Sequence, residues 1–519
     1  MTTMSTVRPI DPDALTLDAV RAGALRDRPV TVLGFARSGI ALTRFLADAG
    51  AHVTIYDGRP VDELAEAIAA VEGRQVRLLA GPDVDPVEAW RDAALVTTSP
   101  SINPDFPTTE KRLRRALRAL VEARAGGDPA APALLSEPDL FLRLCPAPTV
   151  GITGTKGKTT TASLTAAVLA ADPSHPTILG GNIGVPIVER LPELTRDHRV
   201  VYELSELQIP TLSRGTSVAA YTNVTSDHLD RHGSLDAYRN VKRRLAELVD
   251  PAGALVLNLD DPVVASYASI GRARVVPYTL DAPRPGGVGV EGGWIVADGL
   301  VRLALNGGAS LDVEPDHRIL PVDELRIPGR HNVANAMAAV AVGLLFGVPA
   351  EAIRRAAAAF GGVEHRLEEV AVVDGVRYVN DSQGTQPDAV IAAIRAFDGP
   401  LVLIAGGRDK GVELDELAAV VGDRVAAAVL IGESGPTLER LFRAAGLART
   451  EQAATLDDAV IRADALAREA IEGPGTAATV LLSPAAASFD MFDDYEARGH
   501  AFKAAVAALA AGRREGTPR

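Results

Sequence analysis

Cysteine is almost missing: Cys145 is the only one in 519 residues, so no disulfide can close within the chain. Such usage suits a reducing compartment, and a cytoplasmic location is expected. An excess of basic charge is missing too. There are 53 Lys+Arg against 67 Asp+Glu, a formal net charge of −14. A general nucleic-acid binder concentrates Lys and Arg against phosphates, so that role is not expected. One phosphate pocket remains compatible with the balance, because local geometry outweighs net charge. Long apolar runs are lacking as well. A spanning helix needs about 20 mostly apolar residues. The nearest candidate, AMAAVAVGLLFGVP at 336–349, is shorter and is flanked by Asn332 and Asn335. It reads as a buried core helix, and no membrane insertion is expected. The first twenty residues hold no apolar segment of the secretory kind. What is present, 47% hydrophobic and 23% charged residues, is the composition of a globular chain with several cores. At ~100–200 residues per domain the length predicts about three domains.

The pattern divides at about 133 and 363. In residues 1–133 a strand, PVTVL, runs into Gly34-Phe-Ala-Arg37-Ser38-Gly39 and the helix IALTRFLADAG. A second strand, HVTIYD, ends at Asp57. Strand, glycine turn, helix, strand and acidic residue is a nucleotide-binding order. The dinucleotide fingerprint is incomplete, because Ala36 takes the second glycine position. Nucleotide binding and a turn that needs Gly34 and Gly39 only for packing both remain open at this point. The strand ALVTTSP ends at Ser99-Pro100, and AGGDPAAPA (125–133) has linker composition.

In residues 134–363 the strand TVGIT turns through Gly154-Thr155-Lys156-Gly157-Lys158-Thr159-Thr160 into a helix. This is a short variant of a phosphate-binding loop. Its backbone N–H groups and helix N-terminus would cradle phosphate oxygens. Lys158 would reach the terminal phosphates and the Thr159 hydroxyl would ligate Mg²⁺. RVVYELSELQ follows, with Glu203, Ser205 and Gln208. Then VAAYTNVTSDHLDRH carries Asn223, Asp227, His228, Asp230 and Arg231. Oxygen-rich strand ends beside a phosphate loop are candidate Mg²⁺ ligands. The run Lys242-Arg243-Arg244 would by default be a solvated helix face. Residues 364–519 alternate strand and helix, which predicts a parallel sheet. Its strand ends carry Asn380-Asp381-Ser382, Gly406 through Lys410, and Ser483 through Ser488, where α/β sheets bind ligands. The expected fold class is α/β in three domains. A Rossmann-like N-terminal domain (1–133) precedes a central P-loop mononucleotide-binding domain (134–363) and a C-terminal Rossmann-like parallel-sheet domain (364–519).

Four pieces, GITGTKGKTTT, GGNIGVP, TNVTSDHLDRHGS and IPGRHNVANAMAA, stand in an order that resembles the Mur ligase family. These are ATP-dependent amide-forming enzymes of peptidoglycan precursor synthesis. ELSELQ, the strand end NDS and LLSPAAASFDMFDDYEARGHAF resemble the members that add D-glutamate; the D-N-P-R signature of the diaminopimelate-adding members is absent. The resemblance implies that ATP phosphorylates the carboxylate of UDP-MurNAc-L-alanine. The amine of D-glutamate then attacks the acyl phosphate, giving ADP and phosphate.

Carried over residue by residue, Lys158 and the amides of residues 155–160 would bind the β- and γ-phosphates. Thr159 and Glu203 would hold one Mg²⁺, and His228 a second, with Lys242 as the family's carbamylated lysine. Asn332 and Asn335 would meet adenine, Arg366 the phosphates and Asp381 the ribose. Asn182 would orient the muramoyl substrate, with Ser205 and Gln208 close by. Lys410, Thr385, Ser488 and Tyr495 would hold the amino-acid carboxylates. Gly34, Arg37, Ser38 and Gly39 would bind the uridine diphosphate, with Asp57, Arg59 and Ser99 around it. The resemblance further implies a monomer with small-molecule partners only. There are departures: Lys156 where asparagine or histidine is usual, Gln383-Gly384 where lysine and alanine are usual, and Ser101 where glycine is common. Two alternatives remain: another amino-acid-adding ligase of the family, including a folylpolyglutamate type, and a P-loop NTPase serving as a regulatory module.

Overall fold

The computed structural model describes residues 7–183, 186–225, 234–300, 318–327, 329–408, 414–471 and 477–516. The chain forms two compact units, Met1–Phe360 and Gly361–Arg519. The first unit contains two sheets. One is entirely parallel, in the order β3-β2-β1-β4-β5. Its strands are β1 (Pro29–Leu33), β2 (His52–Asp57), β3 (Val76–Ala80), β4 (Leu95–Thr98) and β5 (Ala133–Ser136). The strand order reverses between β1 and β4, which opens a crevice at their carboxyl ends. The stretch of linker composition thus runs directly into an edge strand of this sheet, with Ala131 and Ala133 buried.

The second sheet has nine strands in the order β14-β13-β12-β11-β10-β9-β6-β8-β7. They are β6 (Thr149–Thr153), β7 (Thr177–Gly181), β8 (Arg199–Glu203), β9 (Val218–Tyr221), β10 (Ala254–Asn258), β11 (Arg274–Tyr278), β12 (Gly287–Glu291), β13 (Trp294–Asp298) and β14 (Arg318–Pro321). β6 to β12 are parallel. The last three strands form an antiparallel meander that the reading above did not anticipate. Its turn is Gly292-Gly293, both at positive φ (56° and 78°), a geometry that suits a two-residue hairpin and disfavours side chains. The apolar stretch beginning at Ala336 lies in the helix Arg330–Leu345, buried continuously from Asn335. It packs on the helix Lys158–Ala170 so closely that a Cβ on Gly343 would come within 2.5 Å of Val168 Cγ1. Among the described residues no helix is long and apolar enough to cross a membrane.

The second unit holds one sheet in the order β15-β16-β20-β17-β18-β19. The strands are β15 (Glu368–Val373), β16 (Val376–Asn380), β17 (Leu401–Gly406), β18 (Ala427–Ile431), β19 (Thr450–Gln452) and β20 (Ala478–Leu482). All pairs are parallel except β15 with β16. β15 escapes a periodicity reading because its residues are mostly half-exposed. The α/β class with parallel sheets is as expected.

Within the first unit one apolar cluster runs without a break from the first sheet into the second. Glu137 sits in that joint. Ser136 caps its helix, Glu137–Leu144, and Glu137 Oε1 accepts from Val188 N at 3.2 Å. Burial pushes its carboxyl up to about 7, against the pull of the Val188 amide and Arg37. The folded state therefore holds a proton that the unfolded chain releases near pH 4.5. Stability from this group is complete below that pH and is lost as pH rises through about 7, by ~3 kcal/mol in all. Glu137→Gln should flatten the fall in the unfolding midpoint between pH 5 and pH 8, read by calorimetry. An unchanged slope would show that Glu137 titrates normally.

Candidate active site

The phosphate loop follows β6, which lies between β8 and β9. Gly154 has φ +151°, and a Cβ there would come within 2.0 Å of Thr222 Oγ1 and 2.9 Å of Asn223 O. Gly157, the N-cap of the helix Lys158–Ala170, has φ +82°. Its Cβ would meet Asn335 Oδ1 at 2.7 Å. Both glycines are therefore demanded by close approach as well as by backbone conformation. Asn223 ties the loop down: its O accepts from Thr155 N (2.7 Å) and its Oδ1 from Lys156 N (2.9 Å), while its Nδ2 donates to Lys156 O (2.9 Å). The amides of Thr155 and Lys156, two of those expected to cradle phosphate, thus donate to Asn223 in this structure. Lys158 Nζ donates to Thr155 O (2.7 Å) and arches over the loop.

Two expected partners converge on this turn. Lys242 is fully buried, contrary to the default reading of a solvated face; Arg243 beside it is exposed. Its Nζ donates to Thr153 Oγ1 (3.2 Å) and stands 5.6 Å from the Tyr238 ring. Tyr238 OH in turn lies 3.0 Å from Thr155 Oγ1. Tyr238 was not singled out by the sequence, although its place one turn before Lys242 on the same helix is a usable signal. Glu203 ends β8 in register with Ile152 of β6. Asn182 Nδ2 donates to Glu203 Oε1 (3.0 Å), whereas Glu203 Oε2 is buried with no hydrogen-bond partner. An orphaned carboxylate oxygen beside a phosphate loop fits a hard cation. Asn332 and Asn335 bond to each other (3.1 Å) against the loop. Ser205 and Gln208 are engaged locally: Ser205 N and Oγ both donate to Gln208 Oε1 (2.9 and 3.0 Å). His228 and Lys410 lie outside the described residues, as do Asp227, Asp230 and Arg231.

In the first sheet, Gly34, Asp57, Ser101 and Glu110 line a cavity of about 260 Å³ at the switch between β1 and β4. Ser99 stands next to it, its Oγ 3.1 Å from Ser101 Oγ. Arg37 and Ser38 open the helix Arg37–Asp48, whose N-cap Ala36 supplies no side-chain cap. Gly39 is a packing glycine, since a Cβ would fall 1.8 Å from Gly34 O. Asp57 accepts from Phe35 N (2.8 Å) and from Arg59 N, Nε and Nη2 (2.9, 3.0 and 2.9 Å). Burial raises this carboxyl, but the Arg59 guanidinium and the two amides outweigh it and hold it below the usual range. Asp57 thus fixes the glycine turn, and Arg59 folds back on it.

In the second unit, Asp381 is buried at the end of β16. It accepts from Ser483 Oγ (2.6 Å) and Leu367 N (3.2 Å). Burial pushes it up to about 6, with Arg366 opposing. Gly384 is required here, because a Cβ would lie 2.4 Å from Asp381 Oδ2. Thr385 N bonds Gln383 O (2.8 Å), Ser488 is buried, and Tyr495 opens the helix Tyr495–Gly516. The buried His365, at φ +61°, went unnoticed in the sequence. Its Nδ1 is 2.9 Å from Asn380 Nδ2.

The chain matches the Mur ligase middle domain over residues 152–343 and the Mur ligase, glutamate ligase domain over residues 365–486. The UDP-N-acetylmuramoylalanine–D-glutamate ligase of Symbiobacterium thermophilum is 38% identical over 489 residues, 94% of this chain and 100% of that protein. The protein of the same name from Pelotomaculum thermopropionicum is 37% identical, over 93% of this chain and 98% of its own length. Among solved structures, the UDP-N-acetylmuramate-alanine ligase of Thermotoga maritima aligns with a TM-score of 0.48 at 17% identity, over 93% of this chain and 99% of that one.

Gly154→Ala should weaken ATP binding by at least ~100-fold, since backbone strain and the Thr222 contact both oppose the loop. Titration with a fluorescent ATP analogue reads this, and binding within threefold of the parent would refute the tight-loop account.

Proposed function

The chain belongs to the Mur ligase family, and on that premise we propose that it joins D-glutamate to UDP-N-acetylmuramoyl-L-alanine at the cost of ATP, in peptidoglycan precursor synthesis. The observation that carries the reading is the convergence of the phosphate loop, Glu203 and Lys242 at the carboxyl ends of β6 and its neighbour β8. Residues 1–133 would bind the uridine diphosphate, 134–363 the ATP, and 364–519 the amino acid and part of the nucleotide. The enzyme would act in the cytoplasm as a monomer.

The chemistry follows from charge. A carboxylate and a triphosphate repel, so positive charge and positioning must supply most of the catalysis. The helix N-terminus at Gly157 to Thr160 and the Lys158 ammonium would hold the terminal phosphates, and Asn332 and Asn335 the adenine. Thr159 and Glu203, whose Oε2 has no hydrogen-bond partner among the described residues, would hold Mg²⁺; His228 and a carbamylated Lys242 would hold a second. Bound there, Mg²⁺ neutralises charge on the transferring phosphoryl group. The muramoyl carboxylate, oriented by Asn182, attacks the γ-phosphorus, and ADP leaves. The D-glutamate amine, held through Lys410, Thr385, Ser488 and Tyr495, attacks the resulting acyl phosphate. The tetrahedral intermediate sheds a proton and inorganic phosphate, and the amide remains. A carbamate is an oxygen ligand that an ammonium is not.

Phosphate release is expected only with UDP-MurNAc-L-alanine and D-glutamate together. Equal turnover with L-glutamate would transfer the protein to another branch of the family. Release without any carboxylate acceptor would make it an NTPase module. Lys242→Ala should lose on the order of 10²–10³ in kcat and regain part of it with added short carboxylates. Full activity without them would remove the carbamate.

A further inference from the structure

The helix Arg37–Asp48 starts at the glycine turn of the first sheet, and its far end lines a different hollow. Twelve residues at ~1.5 Å each put the two ends ~18 Å apart. The hollow is a cavity of about 490 Å³, within the size range of small-molecule sites. It shares no lining residue with the cavity at the switch between β1 and β4. Leu17, Val20 and Phe45, each at most 7% exposed, form its apolar wall. Arg21, Arg26, Arg44 and Arg74 also line it, in a chain whose formal net charge is −14.

The two carboxylates of the lining, Asp48 and Glu189, are already bonded. Arg74 Nε and Nη2 donate to the two Asp48 oxygens (2.8 Å each), and Arg44 Nη1 donates to Glu189 Oε1 (3.1 Å). Arg21 Nη2 donates to Pro192 O (3.0 Å) and Leu194 O (2.9 Å), and its Nη1 stands 3.5 Å from the exposed Asp18 at the rim. These bonds tie the short helix Ile187–Glu193 of the second sheet's layer to the first sheet's, so the walls are fixed in place. Arg26 is left over: among the described residues its guanidinium makes no hydrogen bond or ion pair. Its neighbour Asp27 faces His52 instead (3.6 Å). The hollow thus offers an apolar wall on one side and an unmatched planar cation on the other, the pairing that recognises a molecule apolar at one end and anionic at the other. We propose that this cavity binds a small organic anion, its apolar body against Leu17, Val20 and Phe45 and its carboxylate or phosphate on Arg26.

The test is isothermal titration of the full-length protein with phenyl phosphate and, separately, with benzoate, in saturating UDP and ADP so that the nucleotide sites are filled. At least one of the two should bind saturably, and which one does tells phosphate from carboxylate. Inorganic phosphate lacks the apolar body and benzyl alcohol lacks the charge, so each should bind at least ~10-fold more weakly. Arg26→Ala removes an exposed side chain that holds nothing else in place, and should weaken binding at least ~10-fold. Ala49→Trp fills the hollow without touching its charges, and should abolish binding. No saturable binding of either probe under these conditions overturns the proposal. So does binding that survives Ala49→Trp, or a smaller loss in Arg26→Ala, since the anion would then lie elsewhere on the protein.

Discussion

The close fit around the turn after β6 is the constraint on which the rest depends. At Gly154 and Gly157 the backbone runs against Thr222, Asn223 and Asn335 with no room for a methyl group. That contact requires β9 on one side and the helix Arg330–Leu345 on the other. Two segments separated by more than a hundred residues must be in place before the loop can take its shape. Once they are, the helix N-terminus faces outward, Lys158 arches over the loop, and Glu203 and Lys242 arrive on strands and helices that are themselves rigid.

Polar groups in this protein are buried where they hold geometry. Asp57 saturates both oxygens to hold the first glycine turn, and Arg59 completes the arrangement. Asn223 does the corresponding work for the phosphate loop from a strand end, and Arg498 for the loops of the second unit. In each case a side chain satisfies backbone groups that an irregular loop would otherwise leave unpaired. Glu203 Oε2 differs: it is buried with no hydrogen-bond partner among the described residues, which is the mark of a group prepared for a ligand.

Much of this was readable beforehand. PVTVL, HVTIYD and the alternating strands of the third section fold as their periodicity says, and the buried apolar helix is where its length argument put it. The edge strands β15, mostly half-exposed, and β19, three residues long, escaped, and so did the β12–β14 meander. These elements are stabilised by neighbours and not by their own composition. Of the site, the glycines, Lys158 and Glu203 could be named from the residues themselves, and Lys242 only from the family resemblance. Tyr238, His365 and Arg498 could not, because their roles arise from contacts between segments far apart in the chain.

Chemistry-bearing residue types and element order are thus a property of the string of amino acids, because spacing and period act locally. Burial, and with it electrostatic character, is not local. Nothing in Lys242-Arg243-Arg244 says which cation goes inside, nor does EARGHAF reveal that its arginine is buried. Those facts appear only when strands and loops pack together and water is excluded, since a charge takes its meaning from what surrounds it.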